Sequence, residues 1–159
     1  ASGAVARLLH LREEDVVFAR QHPDGIDRGA FHTDVLAVGE GSFLMMHELA
    51  FSDEEVVLRE LRARLGDALV VARATEDELP AAEAVASYPF NSQLAPLADG
   101  TLAIVAPIES RERPRVKAFL DRVVAEHAGR YEAFRQKFAS LEDGHAAARF
   151  VDQLLTDGS

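Results

Sequence analysis

The chain contains no cysteine. That excludes disulfides, cysteine-ligated zinc and a thiol nucleophile within these 159 residues. Long apolar runs are missing too: none approaches the roughly 18 residues that a membrane-spanning helix needs. Basic charge is scarce, with 17 Lys and Arg against 27 Asp and Glu and a formal net charge of -10. Nucleic-acid binding is driven largely by phosphate neutralisation, so no nucleic-acid partner is expected, and no membrane partner either. Internal repeats and low-complexity tracts are absent. The opening ASGAVARLLHLREED has a short apolar stretch, but no charged leader and no cleavage signature. It does not read as a signal peptide, and the expected compartment is the cytoplasm.

What is present is a globular balance, 48% apolar and 28% charged. A chain of this length can bury about 70% of its unfolded surface without disulfide or metal support. SGAVARLLHL reads as a short helix, Val16 to Ala19 as a strand, and RQHPDGIDRGA as a loop. DVLAVG and SFLMM form two apolar runs around GEG, a β-hairpin. FSDEEVVLRELRARLGD is the clearest helix. Ser52 and Glu55 are spaced as a capping box, Val57, Leu58, Leu61 and Leu65 mark the buried stripe, and Gly66 is the stop. ALVVAR and TLAIVAP read as strands, with PAAEAVASY as a short helix between them. RPRVKAFLDRVVAEHAG is a second strong helix, ended by Gly129, and the rest suggests two more with a break at Asp143–Gly144. Strands alternate with helices up to about residue 127 and a helical tail follows, an α/β or α+β pattern. Residues 74 to 110 lack Lys and Arg, whereas RERPRVKAFLDR is locally basic, which suits a solvated helix face or an anion site.

RGAFHTDVLAVGEGS carries the candidate chemistry. His32 and Asp34 stand two apart at the mouth of an apolar run. On a strand, residues two apart share a face, roughly 6.5–7 Å from each other. Both side chains would then open into one space, where an imidazole exchanges protons and a carboxylate holds a cation. Spacing alone leaves other readings open. His32 caps or packs a strand end while Asp34 bonds the preceding turn, or His47 and Glu48 join them around a metal.

VVFARQHPDGIDRGAFHTDVLAVG, followed in order by HELAF, SYPFNSQL and APIESRERPRV, resembles the N-succinylarginine dihydrolase family from residue 1 to about 127. The resemblance implies a partial propeller of ββαβ modules of the pentein, or guanidine-modifying, type over residues 1–127, with a helical tail over 128–159. It implies a small guanidinium substrate, no cofactor and no metal. In that family a cysteine thiolate attacks the guanidinium carbon, a histidine shuttles protons and carboxylates grip the cation. Phe31, His32, Thr33, Asp34 and Val35 match the family's Phe-His-Asn-Asp-Val block. His32 would be the catalytic proton shuttle and Asp34 a substrate-binding carboxylate.

The family's second catalytic carboxylate lies upstream of this histidine. Its nucleophilic cysteine follows an Asn-Gly-Gly-Gly-Pro-Ala block downstream, and neither has a match in this chain. Pro89 stands where the family usually has an apolar residue, and Asn91 fits either a turn or a ligand contact. Ser140, in the tail, has no base in evidence. YEAFRQKFASLEDGHAAARFVDQLL resembles the C-terminal tail of CDP-glycerol glycerophosphotransferases, where Asp143, Gly144 and His145 fit a helix cap or an anion site. Three readings follow: a dihydrolase fragment that needs a complementary cysteine, a non-catalytic guanidinium-binding module, or an interaction module. Module edges left open by an incomplete propeller would favour self-association into a homo-oligomer.

Overall fold

Alternating apolar residues beside a glycine-bearing turn fold as expected into a hairpin, β1 (Ala37–Glu40) and β2 (Phe43–His47). Glu40 faces Phe43 across the two-residue turn Gly41–Ser42, with Gly41 in the left-handed region (φ 57°). The computed structural model describes residues 2–97 and 102–138 of the chain. After β2 the chain passes through α3 (Glu54–Leu65) and returns as β3 (Val70–Ala74), which pairs parallel to β2 from Phe43↔Val70 to His47↔Ala74. β2 is thus the central strand of the order β1-β2-β3. Its Phe43, Met45, Met46 and His47 are all buried, the near-continuous burial expected of a strand covered on both faces.

A second, two-stranded sheet joins β4 (Gln93–Pro96) antiparallel to β5 (Leu102–Val105). The helices α1 (Ser2–Leu8), α2 (Pro23–Asp27), α4 (Ala81–Ser87), α5 (Ile108–Glu112) and α6 (Pro114–Phe138) complete the described residues, and the fold is mixed α/β. Helix α6 lies against β3, α4 and α5, and it buries Val116, Phe119 and Val123. The Phe119 ring meets the fully buried Phe90 ring at 5.7 Å between centroids. Leu36, Met45, Met46, Leu79, Phe90 and Phe119 form the centre of the core.

Several expectations are corrected. Val16 to Ala19 forms no strand. The Arg64 side chain holds the Glu14 carbonyl at 2.8 Å and reaches that of Val16, and only an isolated bridge, Gln21↔Phe51, follows. The turn-rich segment contains α2, which His22 caps by accepting the Asp24 N–H on its Nδ1 at 3.1 Å. Ser52 does not cap α3. Asp53 occupies the cap position without a side-chain bond, and Ser52 Oγ donates to the Gln21 carbonyl instead. Gly66 does end α3, with φ 58°. Strand β4 and helix α5 were not expected. Gly129 does not end α6; an interior glycine costs a helix only about 1 kcal/mol. The break at Asp143–Gly144, Ser140 and His145 lie outside the described residues. The basic run around α6 meets carboxylates: Arg115 lies 3.9 Å from Glu83, Lys117 2.5 Å from Asp121, and Arg122 is bidentate on Glu78. Among the described residues, no helix is long and apolar enough to cross a membrane.

Candidate active site

The chain leaves α2 through Gly29 (φ 98°) and reaches His32 in extended conformation, φ −134° and ψ 152°. There it does not enter the strand. The His32 carbonyl accepts the Val35 N–H at 3.2 Å and the Thr33 carbonyl accepts the Leu36 N–H at 2.9 Å, closing a 3-10 turn over Thr33–Val35. Asp34, Val35 and Leu36 therefore precede β1 instead of belonging to it, and the strand face expected to be shared by His32 and Asp34 is replaced by a turn. The local cause lies in Val35 and Leu36, both buried. The turn drives these apolar side chains inward while leaving His32 and Asp34 exposed and Thr33 half-buried.

The His32 ring meets Phe31 edge-on at 5.0 Å, and Phe31 is itself exposed. Neither the His32 imidazole nor the Asp34 carboxylate hydrogen-bonds a described residue. Their full bonding capacity faces outward: one ring that can give or take a proton, and one carboxylate that can accept from a planar cation. The turn rests on a second one, Pro89–Asn91, which also packs on β1. Pro89 and Phe90 are buried there, and Asn91 is exposed. Tyr88, just before it, is a non-glycine residue in the left-handed region (φ 51°, ψ 43°). It ends α4 and turns the chain into the support of the candidate site.

Among the described residues, His47 belongs to no group of side chains that could hold a metal ion. Its ring is fully buried, its Nδ1 accepts the Leu49 N–H at 3.0 Å, and its Nε2–H donates to the Leu79 carbonyl at 2.9 Å. Both nitrogens are thereby engaged. Burial pushes its pKa below the ordinary imidazole value, although the Leu79 carbonyl and the nearby Glu76 and Glu48 pull the other way. Glu48 accepts the Glu76 N–H at 2.9 Å and meets Arg73 at 3.2 Å, and Arg73 in turn donates to Glu54 at 2.6 Å. The metal reading of His47 and Glu48 gives way to a bonded scaffold. Sequence reasoning missed this role, because the ring's partners are backbone groups that leave no side-chain pattern. Elsewhere, a cavity of about 470 Å³ lies between Glu14, Asp15, Val17 and the α3 residues Leu61, Arg64 and Leu65. It includes none of the candidate residues.

Comparison with known proteins gives a consistent answer. The family model described as succinylarginine dihydrolase matches residues 1–136. The N-succinylarginine dihydrolase of Myxococcus xanthus is 60% identical over 126 residues, covering 79% of this chain and 29% of that protein. That of Chromohalobacter salexigens is 47% identical over 116 residues, covering 73% and 26%. That of Hahella chejuensis is 41% identical over 160 residues, covering 99% and 36%. Similarity to the dihydrolases therefore continues past residue 127. The chain spans about a quarter to a third of the length of these relatives.

Proposed function

The chain belongs to the succinylarginine dihydrolase family, and from that premise we propose that it carries one arc of a site that hydrolyses the guanidinium group of N-succinylarginine. In the proposed chemistry a thiolate adds to the guanidinium carbon, and ammonia leaves as a histidine supplies its proton. Water then resolves the adduct. A second round gives N-succinylornithine, carbon dioxide and a second ammonia. His32 is the proposed proton shuttle and Asp34 the proposed carboxylate for the planar cation. The thiolate has no source among these 159 residues. It has to come from other polypeptide, so this chain alone is expected not to turn over.

The observation that carries the reading is the family match over residues 1–136, a span that includes the Phe31–Val35 block. The exposure of His32 and Asp34, with no hydrogen bond to occupy them, supports it. The order β1–β2–α3–β3, with β3 parallel to β2, is consistent with one ββαβ module of a propeller, the proposed architecture of residues 1–127, with residues 128–159 as its tail. We also propose a cytoplasmic, cofactor-free setting and a small-molecule ligand rather than nucleic acid.

The missing cysteine favours a second reading for the isolated chain: a guanidinium-binding module without turnover. Ammonia release from N-succinylarginine by the purified chain tests the first claim, and the expected rate is that of buffer. Calorimetric titration with the same compound tests the second. Wild type is expected to bind and Asp34→Ala to bind at least tenfold more weakly. Identical titrations would remove Asp34 from the site. Exposed Leu8, Leu9, Phe18, Ile26 and Phe31 support the proposal that copies self-associate, which light scattering reads directly.

A further inference from the structure

His47 lies outside the proposed chemistry, yet its bonds converge on the segment that carries it. Its backbone N–H donates to the Leu36 carbonyl at 2.8 Å, fixing the residue that follows the Thr33–Val35 turn. Its Nδ1 holds the Leu49 N–H. The Leu49 carbonyl packs directly against Gly25, whose own carbonyl accepts the Ala30 N–H at 3.0 Å. Ala30 is two residues before His32. Gln21 also donates to the Ala30 carbonyl, and the His22 N–H to that of Ala50. On the far side of the ring, Nε2–H holds the Leu79 carbonyl. The ring edge meets Phe90, which supports the turn from beneath.

We propose that His47 is a positioning residue: its neutral imidazole, bonded to Leu49 and Leu79, holds both flanks of the turn that presents His32 and Asp34. The inference rests on the reading of those two residues as the site. Its physical core is a lone pair. Nδ1 accepts a backbone N–H, so a proton there would set two donors against each other and release Leu49. The charged groups facing the ring decide how readily that proton arrives. Glu76 Oε2, in the loop before α4, lies 3.5 Å from Nε2 and also accepts the Ala81 N–H. Glu48, just after β2, attracts a proton, whereas Arg73 of β3 repels one. Both carboxylates are already engaged, Glu76 near Arg28 at 3.6 Å and Glu48 with Arg73. Full burial of the ring opposes charging more strongly than these neighbours favour it.

Magnetic resonance of the isotope-labelled chain tests this in two independent ways. In an acid titration, the His47 ring is expected to start as the neutral Nε2–H tautomer. As it gains a proton, the amides of Ala30, Leu36 and Leu49 should shift with the same midpoint. At neutral pH, His47→Gln, whose amide can both accept and donate, should keep those amide positions, whereas His47→Leu should displace them. Flanking amides that stay fixed while His47 titrates would overturn the proposal, as would an Nδ1–H tautomer at neutral pH. If His47→Leu fails to fold, the wild-type titration decides. If acid unfolds the chain before His47 titrates, the neutral-pH tautomer and His47→Gln decide. None of these readouts uses a ligand. Failure of Asp34 to bind N-succinylarginine would sink the reading of the site while leaving the coupling intact.

Discussion

A methyl group built on Gly25 would lie 2.5 Å from the carbonyl oxygen of Leu49 and 2.9 Å from Leu36 Cδ1. The first of these atoms is backbone, so a rotamer change cannot relieve the contact. Gly25→Ala should therefore cost about 1–3 kcal/mol, as other overpacked sites do. A urea transition with a lower midpoint and unchanged slope is the expected record. An unshifted midpoint would mean that α2 does not sit on Leu49.

His32 and Asp34 should contribute almost nothing to folding. Both are exposed and neither is hydrogen-bonded within the described residues. His32→Ala and Asp34→Ala are expected to stay within about 0.5 kcal/mol of wild type in the same measurement. A larger loss in either variant would reveal a structural role that the turn geometry does not contain.

Acid should weaken the fold through His47. Its folded-state pKa lies below the unfolded value of 6.5, because burial disfavours the charged ring. As pH falls below that value the unfolded chain takes up a proton that the folded chain refuses, which pulls the equilibrium toward unfolding. The contribution of neutral His47 is thus complete above the unfolded pKa. It declines on acidification until the folded pKa is passed. Urea midpoints for wild type and His47→Gln, measured across that interval, should diverge, with the glutamine variant less acid-sensitive. Parallel profiles would contradict the assignment.

Arg122 joins four groups. It makes two bonds to Glu78 at 2.6 and 2.9 Å, one to Glu126 at 2.8 Å and one to the Arg73 carbonyl at 3.0 Å. Its guanidinium carbon also sits 5.4 Å from the Phe119 ring centroid. The group is partly solvated, so the discounted loss for Arg122→Ala is about 1 kcal/mol, part of it removed by high salt. Arg122→Lys keeps the charge but not the planar fork, and it should recover less than half of the loss. Paired denaturation curves at low and high ionic strength would check both statements.

Much of this fold was legible in the sequence, and the reasons for the exceptions are local. The hairpin, α3 and the first turns of α6 announce themselves by periodicity, because their apolar faces are long enough to show a repeat. Gly66 stops α3 because nothing with a side chain takes its φ so easily. Val16 to Ala19 has strand composition, but strand pairing is a tertiary property, and the Arg64 side chain occupies its neighbouring carbonyls. At the candidate site, the residue types and their matched block were readable, whereas the geometry was not. Burial of the adjacent Val35 and Leu36 selects a turn over a strand, and no rule of alternation contains that choice. The structural role of His47 was hidden for a related reason. Its partners are the amide of Leu49 and the carbonyl of Leu79, groups that every sequence possesses.

The contact between Phe90 and Phe119 also sets an order of assembly. Phe90 underlies the turn that supports His32, and the ring that covers it arrives 29 positions later in the chain, on α6. During synthesis, β1, β2, α3 and β3 leave the ribosome while Phe90 still lacks its lid. The candidate site therefore gains its foundation only after residue 119 has emerged. A nascent chain halted earlier would lack one of the two aromatic rings that pack on Phe90, and with it part of the support beneath the turn.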